Sequence, residues 1–152
     1  MNGVAFSPDG KLLATADADG TVRLWDPVTG QAIRAIQANG LNGGVAGVAF
    51  SPDGRLLASA HADGTVRLWD PVTGQAIRAI QADTTGNVGV AGVGFSPDGR
   101  LLASADNDGT VRLWGVSLFI HPYEALCTDV GPPTRQNWHQ YAAGEPQPKV
   151  CA

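Results

Sequence analysis

Few residues of this 152-residue chain combine a type and a spacing that could support chemistry. Zinc prefers thiolate and imidazole ligands, but the three histidines and two cysteines form neither a Cys-x-x-Cys nor a His-x-x-x-His arrangement. Asp17-Ala18-Asp19-Gly20 is similar to the start of a calcium-binding loop, yet no Glu follows at the required distance, and a turn aspartate is the simpler explanation. The sequence therefore predicts no metal site and no cofactor.

Motifs for covalent or nucleotide chemistry are missing as well. No serine stands in the Gly-x-Ser-x-Gly elbow of a hydrolase, and no Gly-x-x-x-x-Gly-Lys-Ser/Thr loop occurs. The net charge of −4, without a cluster of Lys or Arg, argues against a nucleic-acid partner. No stretch approaches the roughly 20 apolar residues of a membrane span, and Met1 leads into the first motif without an apolar leader. We expect a cytoplasmic protein without enzyme activity or membrane association.

Internal repeats organise the chain instead. Phe6-Ser7-Pro8-Asp9-Gly10 returns at 50–54 and at 95–99, with offsets of 44 and 45 residues, and Trp25, Trp69 and Trp114 keep the same spacing. Segments 4–38 and 48–82 differ only at Lys11/Arg55, Thr15/Ser59 and Asp17/His61. Such similarity indicates a recent duplication, and the period is that of a four-stranded propeller blade.

Turn residues divide each copy into four strands. In the second copy we predict strands over 45–50, 56–60, 65–69 and 76–80, separated by turns rich in Pro, Asp and Gly. The third copy departs from the pattern at Gly115, and 116–120 is expected to replace its fourth strand. The predicted fold class is all-β, with three antiparallel four-stranded blades.

The repeated FSPDG, DGTVRLWD and DPVTG motifs resemble those of the WD-repeat β-propeller family over about residues 1–115. The resemblance implies blades arranged around a channel and a non-catalytic scaffold for protein–protein interaction. Because closed propellers have about four to eight blades, three blades require further copies. A homodimer would supply six blades and a homotrimer nine, and the further partner would be an unidentified protein or peptide.

The family also implies a structural hydrogen-bond network of a His, a hydroxyl residue, a turn Asp and a Trp in each blade. Leu41 and Gly86 occupy the place of the His in the second and third copies, so the network is expected to be incomplete, with the Asp held by backbone amides or water. The matching residues are Thr15, Asp19 and Trp25; Ser59, Asp63 and Trp69; and Ser104, Asp108 and Trp114.

Positions that differ between the copies suggest where a partner binds. The turn before the third strand varies, as do the loops 39–44 and 83–89, and the family places both on one face of the ring. Drift on a solvent-exposed face is the alternative explanation. The candidate partner face comprises Asp17, His61, Asp106, Asn107, Leu41, Asn42, Thr84 and Thr85.

The expected organisation is blade 1 over 1–44, blade 2 over 45–89, blade 3 over 90–120 and a short, partly helical C-terminal cover over 121–152. The tail resembles the segment that follows the last blade in bacterial WD-repeat signalling proteins, through Cys127, Gly131, Thr134, Trp138, Tyr141 and Cys151. Cys127 and Cys151 could form a disulfide or remain buried thiols. An alternative function follows: a C-terminal sensor fragment of a larger bacterial signalling protein with a separate effector enzyme domain.

Overall fold

The computed structural model describes residues 1–38, 43–82 and 88–116. The chain divides into two compact units, Met1–Trp114 and Gly115–Ala152. All of the second unit except its first two residues lies outside the described part, and so do the predicted cover over 121–152 and its two cysteines.

The described residues form eleven strands in three antiparallel sheets. The first sheet contains β1 (Gly3–Phe6), β2 (Leu13–Ala16), β3 (Thr21–Trp25) and β4 (Ala32–Gln37). The second contains β5 (Val45–Phe50), β6 (Leu57–His61), β7 (Thr65–Trp69) and β8 (Ala76–Gln81). The third contains β9 (Val90–Phe95), β10 (Leu101–Asp106) and β11 (Val111–Gly115).

Each sheet is a meander in which consecutive strands pair. The all-β prediction is confirmed, and the strands predicted in the second copy lie within one residue of their expected bounds. In the third sheet, 117–120 of the expected replacement strand lie outside the described residues. The described part of the chain contains no helix long and apolar enough to cross a membrane.

The Ser-Pro-Asp-Gly turns explain why this motif returns in every copy. In the second sheet, Ser51 Oγ donates to Asp53 Oδ1 over 2.6 Å and accepts from the Leu56 amide over 3.0 Å. Gly54 follows with a φ of 72°, which favours glycine. The hydrogen bond from Ser51 and the Arg55 amide hold the pKa of Asp53 below its ordinary value. The serine, the aspartate and the glycine of the motif thus each have a role in reversing the chain.

The first two sheets pack face to face through apolar side chains. Val22 and Leu24 of β3 are fully buried, and they share one core cluster with Val48 of β5 and with Leu57 and Trp69 of the second sheet. Polar contacts join the same sheets: the Val45 amide donates to the Asp17 carbonyl over 3.0 Å. Because the second sheet also packs against the third, Val66 and Leu68 on its other face are fully buried as well.

Candidate functional site

The hydroxyl and tryptophan residues of the expected polar network lie on the second and third strands of each sheet. Trp25 Nε1 donates to Thr15 Oγ1 over 3.1 Å, and Trp69 Nε1 donates to Ser59 Oγ over 2.8 Å. In the third sheet, Ser104 Oγ and Trp114 Nε1 are both buried without a hydrogen-bond partner among the described residues. The hydroxyl-to-tryptophan bond is therefore made in two of the three sheets.

The turn aspartates bind threonine and arginine. Asp63 Oδ1 accepts hydrogen bonds from the Thr65 amide and hydroxyl, and Asp63 Oδ2 lies 3.1 Å from Arg67 Nη2. The same arrangement around Asp19 lowers its pKa to about 2, chiefly through the hydrogen bonds from Thr21. A threonine amide, its hydroxyl and an arginine together hold each of these two carboxylates, which fasten the turn before the third strand.

An imidazole enters the network of the second sheet at an unexpected position. His61, the last residue of β6, is 1% exposed, and its Nε2 lies 2.7 Å from Ser59 Oγ. The Ser59 hydroxyl can accept from Trp69 and donate to His61 at once, so three side chains form one chain of hydrogen bonds. A histidine is thus present in this network, two residues beyond the hydroxyl.

Burial keeps this histidine neutral. Loss of solvent, together with the positive charge of Arg67, lowers the pKa of His61 to about 4. Its Nδ1 is buried without a hydrogen-bond partner among the described residues. The sequence indicates that His61 points inward, because residues two apart on a strand share a face and Ser59 faces the core.

Asp17 and Asp106 hold the equivalent positions in the first and third sheets, where they bind arginine. Arg23 Nη1 donates to Asp17, and Arg112 Nη1 donates to Asp106. The two aspartates are 7% and 6% exposed. The candidate partner face is corrected at these positions: Asp17, His61 and Asp106 point into the protein because each has an internal polar partner.

The remaining candidate residues divide into two groups. Asn107 is exposed in the turn between β10 and β11. Leu41, Asn42, Thr84 and Thr85 lie outside the described residues. Asn107 also donates its backbone amide to the Gly89 carbonyl over 2.9 Å, which connects this turn to the segment leading into β9.

The change from Asp to His redirects one arginine. In the second sheet no carboxylate stands at position 61, and Arg67 Nη1 instead donates to the carbonyl oxygen of Ala38 over 2.6 Å. Ala38 follows β4 of the first sheet, so this guanidinium connects two sheets. Arg23 and Arg112 direct the same nitrogen to an aspartate of their own sheet.

The segment that is similar to the start of a calcium-binding loop binds an arginine side chain. Arg23 pairs with both Asp17 and Asp19, so both carboxylates of the Asp-Ala-Asp-Gly segment already bind an arginine. Over residues 1–38, 43–82 and 88–116, no group of three or more His, Cys, Asp or Glu side chains is arranged to hold a metal ion. The arrangement is that of a structural turn.

The two end sheets each expose an apolar face. Val4 and Phe6 of β1 are 61% and 64% exposed, whereas their equivalents Val48 and Phe50 are buried or partly buried. On the third sheet, Val111 and Leu113 are 69% and 64% exposed, although the equivalent Val and Leu are fully buried in the other two sheets. A depression of about 280 Å³ lies on this face, lined mainly by Gly92, Gly94, Ala103, Ala105 and Val111.

Comparison with known proteins agrees with this architecture. The family model described as "WD domain, G-beta repeat" matches residues 1–26, 30–70 and 74–115. An uncharacterized WD repeat-containing protein of Nostoc sp. is 60% identical over 30 residues, which are 20% of this chain and 2% of the relative. The Notchless protein homolog of Arabidopsis thaliana is 46% identical over 39 residues, which are 26% of this chain and 8% of the relative. The chain therefore belongs to the WD-repeat family, whose repeats form scaffolds for protein interaction.

Proposed function

We propose that this chain is a non-catalytic scaffold for protein–protein interaction, located in the cytoplasm, which completes its propeller by associating with further copies of itself. The observation that carries the proposal is the exposure of apolar residues on the two end sheets. Val4, Phe6, Val111 and Leu113 are all more than 60% exposed, while their equivalents inside the stack of sheets are covered.

The energetics favour covering these faces. Burial of apolar surface contributes about 25 cal/mol per Å², so ~400 Å² at one junction would contribute about 10 kcal/mol before the cost of association. Two copies would provide six blades and three copies nine, against the usual four to eight of closed propellers. We favour self-association without choosing between a dimer and a trimer.

The binding partner of the assembled scaffold is proposed to be a protein or a peptide. The net charge of −4 disfavours nucleic acid. Asn107 and the loops 39–44 and 83–89 form the proposed contact region, now without the three buried residues Asp17, His61 and Asp106. Burial of His61 against Ser59 also supports a structural and not a catalytic use of this histidine.

A second candidate function is a C-terminal sensor fragment of a larger signalling protein. One observation favours it: the chain spans only 2% and 8% of the two curated relatives, which are much longer. In that case further blades of the same polypeptide would cover the faces that are exposed here.

Light scattering coupled to size exclusion, with circular dichroism as a test of folding, tests self-association. At micromolar concentration we expect a folded species with two or three times the chain mass of 15.7 kDa. A stable, folded monomer would contradict self-association, whereas further blades encoded upstream of Met1 would support the fragment hypothesis.

A further inference from the structure

We infer that the two end faces bind each other head to tail, so that the third sheet of one copy contacts the first sheet of the next in the register of the internal junctions. This inference rests on the proposed self-association and names its surface and its register. Three series of equivalent contacts join neighbouring sheets along the chain. In each series, the residues on the outer faces of the two end sheets lack this contact among the described residues.

The first series consists of glycines on the inner strands β1, β5 and β9. A Cβ at Gly3 would lie 3.1 Å from the Gly47 Cα, and a Cβ at Gly47 would lie 3.5 Å from the Gly92 Cα. A Cβ at Gly92 would have no neighbour within 4 Å. Continuing the series places Gly3 of a second copy against Gly92.

The second series joins the turns between the first two strands of each sheet. A Cβ at Gly54 would lie 3.6 Å from Pro8 Cδ, and one at Gly99 would lie 3.5 Å from Pro52 Cδ. At the ends of this series, a Cβ at Gly10 would have no neighbour within 4 Å, and Pro97 is exposed. Gly10 of one copy and Pro97 of another are therefore the two halves of the same contact.

The third series is apolar. At the junction of the first two sheets, Val48 and Phe50 pack in one cluster with Ala14, Ala16 and Val22. The equivalents of Val48 and Phe50 are the exposed Val4 and Phe6 of the first sheet. Ala14, Ala16 and Val22 form the other side of that junction. Their equivalents in the third sheet are Ala103, Ala105 and Val111, which line the depression. The two exposed faces thus carry the same residue types as the two sides of an existing junction.

This pairing requires unlike faces to meet. Contact between two third sheets would bring Val111 and Leu113 against themselves and would leave Val4 and Phe6 exposed on both copies. A heterologous contact covers both faces and can close into a ring. A second copy therefore fits this surface in one orientation.

Opposite charges on the two faces test the inference. At a concentration where the wild-type chain is assembled, Val111→Glu alone and Val4→Lys alone should each raise the dissociation constant about 100-fold or more, because each buries an unpaired charge at the junction. The double variant Val111→Glu/Val4→Lys should regain assembly, since Glu of each copy then meets Lys of the next in a ring of any size. Val72→Glu is the control, because Val72 is 77% exposed in the turn before β8 and lies outside the proposed contact.

A second variant tests the surface by shape. Gly92→Leu has open space within one chain but would collide with Gly3 of the next copy, so it should abolish assembly without changing the circular dichroism spectrum. If the wild-type chain is monomeric, the proposed self-association and this inference both fall. If the wild type assembles and the three variants assemble as well as Val72→Glu does, self-association stands and this surface is wrong. Failure of the folded double variant to assemble would overturn the head-to-tail pairing.

Discussion

The segment Val-Arg-Leu-Trp occurs on the third strand of all three sheets, but its surroundings differ between the middle sheet and the third sheet. Val66 and Leu68 of the second sheet are fully buried, whereas Val111 and Leu113 of the third sheet are 69% and 64% exposed. Identical residues therefore stabilise the chain to different extents. The neighbouring sheet decides their contribution, as expected of repeat proteins.

The middle sheet also differs from the end sheets in its polar interior. His61 bonds to Ser59 and leaves Arg67 free to contact Ala38 of the first sheet. Asp17 and Asp106 instead keep their arginines within their own sheets. Between nearly identical repeats, one substitution changes a bond within a sheet into a bond between sheets.

The largest expected effect is the loss of stability on truncating Leu68, compared with the same change at its equivalent Leu113. Leu68→Ala should lower the free energy of unfolding by about 2–5 kcal/mol, because it opens a cavity in a packed interior. Urea denaturation at several protein concentrations should show this loss at every concentration. The loss for Leu113→Ala should be small in dilute protein and should grow with concentration as the end face becomes covered. Equal losses at all concentrations would contradict the comparison.

Protonation of His61 should weaken the middle sheet at acidic pH. The pKa of this side chain is about 4 in the folded chain and 6.5 in the absence of burial, so the unfolded chain binds the proton more tightly. The free energy of unfolding should therefore fall as the pH decreases from about 6.5 to about 4, by at most about 3 kcal/mol from this group.

Urea denaturation at fixed protein concentration, repeated across that pH range, measures this effect. The His61→Asn variant keeps the aspartates that also titrate, and its profile should lack the contribution of the imidazole. Identical slopes for the wild type and the variant would show that His61 contributes nothing to the pH dependence.

A smaller loss is expected from the hydroxyl that His61 shares with Trp69. Ser59→Ala leaves two buried nitrogens without their partner and should cost about 1–3 kcal/mol. Ser104→Ala is the matched control: its Oγ is buried without a hydrogen-bond partner, so the same substitution should be near neutral or stabilising. Thermal unfolding of both variants would measure the difference, and equal destabilisation would refute the role of the Ser59 bonds.

The smallest effect should come from the Lys11/Arg55 difference between the first two sheets. Arg55 is exposed, and its backbone amide makes the same bond to Asp53 that the Lys11 amide makes to Asp9. Arg55→Lys should change the free energy of unfolding by less than about 0.5 kcal/mol in chemical denaturation. A larger change would mean that this side chain has a role that its exposure does not reveal.

Turn chemistry made most of the fold predictable from the sequence. The Ser-Pro-Asp-Gly motif fixes a chain reversal through local hydrogen bonds, so strands such as β5 and β7 are found at their predicted bounds. Their antiparallel order follows because short connections join neighbouring strands.

The candidate site was less predictable, because side-chain partners depend on contacts between strands. Divergence at Asp17 and His61 suggested an exposed surface, but β6 extends to His61 and places it on the same face as Ser59. Applying the two-residue period of the strand one step further would have indicated burial. The bond from Arg67 to Ala38 had no signal in the sequence, since it joins residues 29 apart across two sheets.

The close approach of Gly3, Gly47 and Gly92 has a consequence for ring size. These glycines let the backbones of neighbouring inner strands come almost into contact, with distances of 3.1 and 3.5 Å from the Cβ positions to the next Cα. A methyl group at Gly3 would be tight against Gly47 and would push these two inner strands apart while the outer strands stayed in place, so the angle between the first two sheets would decrease. At Gly47 a methyl group would make only an ordinary van der Waals contact. A smaller angle requires more sheets to complete a circle. Glycine at this position of the repeat therefore acts on curvature, and through curvature on how many blades a closed ring of this sequence can contain.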